Sequence, residues 1–215
     1  MAGNITTNVV QLGDSATASR NFHLQTNVDG TLSLNRGNVG TPTQEILRVA
    51  GTETVQRIQT FTAQASTAGT SIDFTGIPSW AKEITVMFNG VSTNGTSIVQ
   101  IQIGNTTFTT TGYSTQSSAI DGTAAGTTAA GSGFILDPGG SAAFSRFGQA
   151  VISLITNNQY VFTSVLGVAG SAQARTHYTG GGSPALAGPL DRIRITTVNG
   201  TDVFDTGSIN IFVKG

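Results

Sequence analysis

The residues best suited to chemistry are few. The 215-residue chain has two histidines and no cysteine, which removes disulfides, thiolate metal sites and cysteine nucleophiles together. His23 alternates with Phe22 and Leu24 and reads as a residue on a strand face. His177 stands in "QARTHYTGGGSPALAG", beside Tyr178 and ahead of a glycine run. No serine occupies a Gly-x-Ser-x-Gly elbow, so a histidine-assisted hydroxyl is not the reading. Paired carboxylates hydrolyse glycosides when their spacing and acidity suit, and the candidates are Asp121, Asp137, Asp191, Asp202 and Asp205. Asp191 and Asp202 flank a strand-turn unit, where aspartate commonly bonds nearby backbone. Asp202 and Asp205 in "NGTDVFDTG" supply only a fraction of the oxygens a calcium ion needs. "GSGF" and "TGGGSP" lack the preceding strand, following helix and lysine of a phosphate loop. The sequence therefore predicts no catalytic set, no cofactor and no metal.

Binding is the better reading of the composition. Charged residues are 10% of the chain, against roughly 25% in an average soluble protein. Ten basic residues balance eleven acidic ones, so the cationic field of a nucleic-acid binder is missing. In place of charge stand 28 Gly and 34 Thr, with many Ser, Asn and Gln. Hydroxyls, amides and a few aromatics suit neutral sugars, which are held by hydrogen bonds and stacking. A contact of about 1 mM, near 4 kcal/mol, becomes useful when several copies engage together. Tyr113 in "TTTGYSTQ" and Tyr178 in "THYTGGG" lie among small uncharged residues, the mixture of adaptable binding loops. With Ser132 and His177 they are the predicted receptor contacts. Trp80, just before a core strand, is predicted to plug one end of the domain instead.

Short strands must position these residues. Period-two alternation recurs between turn residues: Ile84, Val86 and Phe88 share a face in "ITVMF", and Val99, Ile101 and Ile103 alternate with Gln100 and Gln102. "VISLI", "YVFTSVL", "RIRITTV" and "SINIFVK" follow the same rule, and no helix longer than two turns is expected. Asn89-Gly90, Asn94-Gly95, Asn199-Gly200 and Asp29-Gly30 are predicted turns, because these pairs accept positive φ. About eight strands from Ile72 onward suffice for a jelly-roll-like sandwich. The small, Gly-rich stretch from Ser114 to Ala143 reads as a mobile surface loop in preference to a segment laid over a neighbouring subunit. No apolar run approaches the roughly 18 residues of a membrane span, and the N-terminus does not read as a secretory signal.

The chain is thus all-β, with an N-terminal oligomerising segment over residues 1–60 and a sandwich over 61–215. Val9, Leu12, Phe22, Leu24, Leu32 and Leu34 are too sparse for an independent core. They are predicted to pack against other copies of the chain or a larger assembly.

"SRNFHLQTNVDGTLSLNRGN" and "EILRVAG" resemble the N-terminal region of tail-fibre and related appendage proteins of tailed bacteriophages. "SIDFTGIPSWAKEITVMFNGVSTNGTSIVQIQIG" and "LDRIRITTVNGTDVFDTGSINIFVKG" resemble a β domain of the same kind of protein, and the similar parts cover about half the chain. The resemblance implies a non-enzymatic virion protein, commonly a homotrimer. It would be made in the host cytoplasm, dock on other virion proteins through its N-terminal part and face a host-surface glycan with its C-terminal domain. A capsid decoration or fibre adaptor without receptor binding is the alternative, and a small polysaccharide depolymerase a more distant one. Unlike long fibres, the chain has no heptads and no internal repeat.

Overall fold

In a computed structural model of the chain, side chains are described for Leu34 and for residues 57–120, 128–170 and 175–215. The backbone of the strands within residues 9–49 and of residues 125–127 is described as well. The chain divides into two compact units, Met1–Gln56 and Arg57–Gly215.

In the first unit β1 (Val9–Leu12), β2 (Phe22–Thr26), β3 (Leu32–Asn38) and β4 (Thr41–Val49) form an antiparallel sheet in chain order. Leu12 lies opposite Phe22, Leu24 opposite Val10 and Leu34, and Leu32 opposite Thr26 and Val49. Successive strand positions alternate between faces. Leu12, Phe22, Leu24, Leu32 and Leu34 therefore occupy positions on one side of the sheet, and Val9 a position on the other. Asp29-Gly30 lies outside the described residues.

The second unit begins with β5 (Ile58–Thr60), which pairs with the last strand, so this unit starts slightly ahead of the expected residue 61. Then follow β6 (Gln64–Ala65), β7 (Ser71–Thr75), β8 (Glu83–Thr93), β9 (Val99–Asn105), β10 (Thr107–Phe108) and β11 (Ser114–Ile120). The remaining strands are β12 (Ala125–Ala130), β13 (Phe134–Ile135), β14 (Ser145–Thr156), β15 (Gln159–Ala169), β16 (Arg175–Gly182), β17 (Arg192–Thr197) and β18 (Phe204–Lys214). No helix occurs among the described residues. One antiparallel sheet has nine strands in the order β12-β11-β16-β15-β14-β8-β18-β5, with β6 also on β18. The other has five, in the order β10-β9-β17-β7, with β13 beside β9.

One core joins the two sheets. Ile72, Ile195 and Ile101 form a row across the five-stranded sheet, and Phe74, Ile193 and Ile103 form the next. Facing them are Ile84, Val86 and Phe88 from β8 and Ile209, Ile211 and Val213 from β18, all buried as the alternation predicts. Phe134 stacks on Phe162, with ring centroids 4.6 Å apart, and takes the edge of Tyr113 at 5.0 Å. Trp80 packs against this core with Arg57 over its indole at 5.9 Å.

Two sequence expectations are corrected here. The stretch from Ser114 to Ala143 is not simply a loop: it supplies β11, β12 and β13, and Phe134, Ile135 and Leu136 are wholly buried. Its alternation was hidden because the inward positions of β11 are Thr115, Ser117 and Ala119, small and mostly polar. Asn89-Gly90 is not a hairpin turn either. It lies inside β8, where Gly90 has a φ of +68° and the pairing with β18 shifts register, the signature of a bulge. A two-residue turn does occur at Asn157–Asn158, between β14 and β15, with φ of +48° and +58°. Asparagine tolerates that region better than other residues with a Cβ.

Candidate functional site

Two polar sites stand out, one on each sheet. On the outer face of the five-stranded sheet, alternation turns Gln100 and Gln102 of β9, Arg194 and Thr196 of β17, and Ser71 and Asp73 of β7 away from the core. Gln100, Gln102, Ser132, Arg194, Thr196 and Asn199 line a groove of about 310 Å³ there.

Its floor is fixed by internal bonds. Ser132 Oγ donates to Gln100 Oε1 at 2.8 Å, and Gln102 Nε2 donates to the Ser132 carbonyl at 3.0 Å. Gln100 Nε2 reaches the Thr197 carbonyl at 3.4 Å, and Thr196 Oγ1 donates to the Thr70 carbonyl at 2.8 Å. Gly133 permits this closure, because a Cβ there would stand 2.8 Å from Gln100 Oε1. At one end Arg194 makes a two-pronged pair with Asp73, at 2.8 and 2.7 Å, and lies 4.2 Å over the Phe108 ring. The Asp73 hydrogen bond holds the Arg194 guanidinium more firmly in its charged form. Beside it the hydrogen bond from Arg192, ahead of a smaller opposing effect of burial, keeps the Asp191 carboxyl below the usual range. Asp191 also accepts the Thr106 backbone N–H at 3.1 Å.

Where the nine-stranded sheet extends past its partner, residues 136–144, which follow β13, pack on it. Asp137 on that segment is wholly buried. It accepts Arg146 Nε at 2.7 Å on one oxygen and lies 2.9 Å from His177 Nδ1 on the other. The Phe144 ring stands edge-on to His177 with centroids 6.1 Å apart. His177 Nε2 and Arg146 Nη2 find no hydrogen-bond partner among the described residues.

The four predicted contact residues therefore separate. Ser132 lines the groove. Tyr113 is only 6% exposed and does not display its ring as expected. Its hydroxyl accepts the Ile103 N–H at 2.9 Å and donates to the Thr109 carbonyl at 3.0 Å, and burial pushes its pKa up to about 12. It positions the Thr109–Gly112 turn, whose Thr110 lines the groove. His177, at 1% exposure, is an internal partner of Asp137 and not a surface contact. Tyr178 is 45% exposed on the outer face of the nine-stranded sheet and does not line the groove.

The carboxylates expected to bond local structure do so. Asp202 accepts the Ser97 N–H at 2.8 Å and Asn199 Nδ2 at 2.7 Å. Among the described residues no three His, Asp or Glu side chains gather in a metal-binding group. Gln100, Gln102, Arg194, Asp73 and Phe108 were missed as site residues. Two glutamines in "VQIQI" carried a signal, since outward positions with long amides are costlier to order than Thr or Ser. The Asp73–Arg194 pair carried none, because it exists only once β7 pairs with β17. Comparison with protein families, curated proteins and solved structures finds no match for this chain.

Proposed function

We propose that this chain is a non-enzymatic virion appendage protein of a tailed bacteriophage. Residues up to about 60 attach it to other virion proteins and to its own copies, as a homotrimer. The C-terminal domain, which we read as jelly-roll-like because the chain crosses between sheets at most connections, contacts a neutral glycan of the host surface.

The observation that carries this reading is the groove itself. Its lining is amide and hydroxyl groups held in place by their own bonds, with one guanidinium already neutralised by Asp73 and backed by an aromatic ring. Preorganised neutral donors and acceptors favour a polyhydroxylated ligand over an ionic one, since no unpaired charge is offered and little ordering is left to be done on binding. The N-terminal resemblance supplies the virion context.

The test is binding of neutral surface polysaccharides by the full chain, with Gln102→Leu and Asn199→Ala as groove variants. Binding of a neutral glycan that both changes weaken supports the reading. No binding even in a multivalent format, with hundreds of copies of the protein on each particle, transfers the assignment to a capsid decoration. Release of reducing ends, abolished by changing Asp191, Asp202 or Asp205, transfers it to a depolymerase.

A further inference from the structure

The outer face of the nine-stranded sheet has an unusual composition for a surface exposed to water. Register pairs build four rows across β14, β15, β16 and β11, beginning at Phe147, Gln149, Val151 and Ser153, and none of the residues in them is charged. Phe147, Val161, Val165, Tyr178 and Ile120 are all exposed on this face, Val165 to 52%. Contiguous apolar surface of this kind marks an interaction site more often than scattered exposed residues do.

The glycines add a second and independent observation. In "Gly180-Gly181-Gly182" the middle residue faces inward, and a Cβ there would press on the Ser114 carbonyl at 2.7 Å and on Thr115 at 3.0 Å. Core packing explains it. Gly180 and Gly182 face outward, and a Cβ on either would meet nothing within 4 Å. Neither has a positive φ. Nothing inside the chain requires glycine at these positions, although glycine weakens a strand interior. Glycine in a strand fits a place where another backbone or a ligand approaches closely.

We infer that this face is an interface between copies of the chain. The occupant follows from shape, charge and size. The face carries both halves of its own complement: a ridge at Val165 and Tyr178, and beside it the trough at Gly180 and Gly182. In a two-sided contact the ridge of each copy enters the trough of the other. The four rows themselves bring no charge against their own copy, and the charged Glu83, opposite Ser153 on β8, and Arg175, beside Phe147 and Thr176, stand at their borders. Four strands, β14, β15, β16 and β11, at about 4.8 Å spacing and seven residues at about 3.3 Å each span about 440 Å² in projection. With side-chain relief two such faces together reach about the 1,000 Å² of total buried surface that a specific interface needs. The inference does not depend on the phage reading, and the surface is not the one assigned above to the N-terminal residues.

The natural absence of cysteine makes the test clean. Val165→Cys and, as a control on another exposed valine, Val198→Cys are made in the full chain and labelled with a maleimide. In parallel, light scattering gives the mass, and both experiments are repeated with Gly180→Lys added. The expected result is an even multiple of the 22.0 kDa chain, since a two-sided contact closes in pairs, with the Val165→Cys thiol labelled several-fold more slowly than the Val198→Cys thiol. Gly180→Lys should restore fast labelling while the β-sheet circular dichroism stays unchanged. If Val165→Cys disturbs the fold, Thr163→Cys on the same face replaces it. Fast labelling of the face thiol in an oligomer overturns the inference, because other surfaces then hold the copies together. A single-chain mass at the highest soluble concentration also overturns it. So does protection that appears only when a neutral polysaccharide is added, since the face would then belong to a ligand.

Discussion

Two aspartate–arginine pairs in the same domain show how much the surroundings decide. Asp137–Arg146 and Asp73–Arg194 have the same closest approach, 2.7 Å. The first pair is wholly buried and its carboxylate is shared with His177. The second lies about one third exposed on the rim of the groove, backed by Phe108. In the first case the carboxylate is what makes two other buried polar groups tolerable. In the second, water already solvates both partners and the pair chiefly sets the direction of a side chain.

The contrast is broken most directly by Asp137→Asn. Removing the charge leaves Arg146 buried without its counter-ion and replaces one of the two oxygens shared by Arg146 and His177 with an amide NH2 that cannot accept, and losing one member of a buried pair costs about 3–5 kcal/mol. The urea midpoint of the full chain at fixed protein concentration should fall accordingly. A loss below about 1 kcal/mol would mean that water reaches the site. The sharper version replaces all three residues, as Asp137→Leu, Arg146→Met and His177→Leu. Well-packed apolar groups in place of a buried ionic cluster are often neutral or stabilising. The triple variant is expected to regain most of what the single change loses.

Tyr113 and Tyr178 extend the comparison to an uncharged group. Tyr113→Phe leaves the Ile103 N–H without its acceptor inside the core, a cost of about 1–3 kcal/mol. Tyr178→Phe removes a hydroxyl that the fold of the single chain leaves on an outer sheet face and should change the chain's own stability by no more than about 0.5 kcal/mol. Alkaline titration reads the same difference. Burial raises the Tyr113 pKa from 10.0 to about 12, so its contribution is intact below the unfolded value and is lost as pH rises through the folded one. Between those values the unfolded chain gives up a proton that the folded chain retains. Stability should then fall by about 1.4 kcal/mol per pH unit. Tyr160, also raised by burial, adds to the fall, and Tyr113→Phe should make the slope shallower in equilibrium unfolding across that range.

What could be read from the sequence follows the same division between core and rim. "ITVMF", "VQIQI" and "RIRITTV" announced their strands and inward residues, because large β-branched side chains on alternate positions mean burial on one face only. β11, β12 and β16 did not announce themselves in this way. Their inward positions include Thr115, Ser117 and Thr179, with a glycine at 181, and period-two hydropathy vanishes when both faces are small or polar. Ser132, predicted as a receptor contact, lines the groove, whereas the glutamines and the Asp73–Arg194 pair that surround it were not singled out. The alternation had marked Gln100 and Gln102 as solvent-facing, and the return of 131–133 over them depends on contacts distant in sequence. Asp137, His177 and Arg146 were each visible as residues. Their meeting depends on the 136–144 segment folding back under β16, and no spacing rule encodes that.

The smallest effect is expected from Asp73→Asn. An exposed pair of this kind contributes about 0–1 kcal/mol, and Arg194 keeps the Phe108 ring beneath it after the change. Salt separates this variant from Asp137→Asn better than the size of either loss. At about 1 M ionic strength the screening length is near 3 Å. Salt should therefore remove most of the difference between Asp73→Asn and the natural chain, because ions reach both partners from the solvent side. Ions do not enter the space between Asp137, Arg146 and His177, so the loss in Asp137→Asn should persist at high salt. If both losses shrink alike, the Asp137 site is open to solvent and the contrast between the two pairs fails. If neither shrinks, the Asp73–Arg194 pair is held by its fork geometry and the Phe108 stack more than by charge.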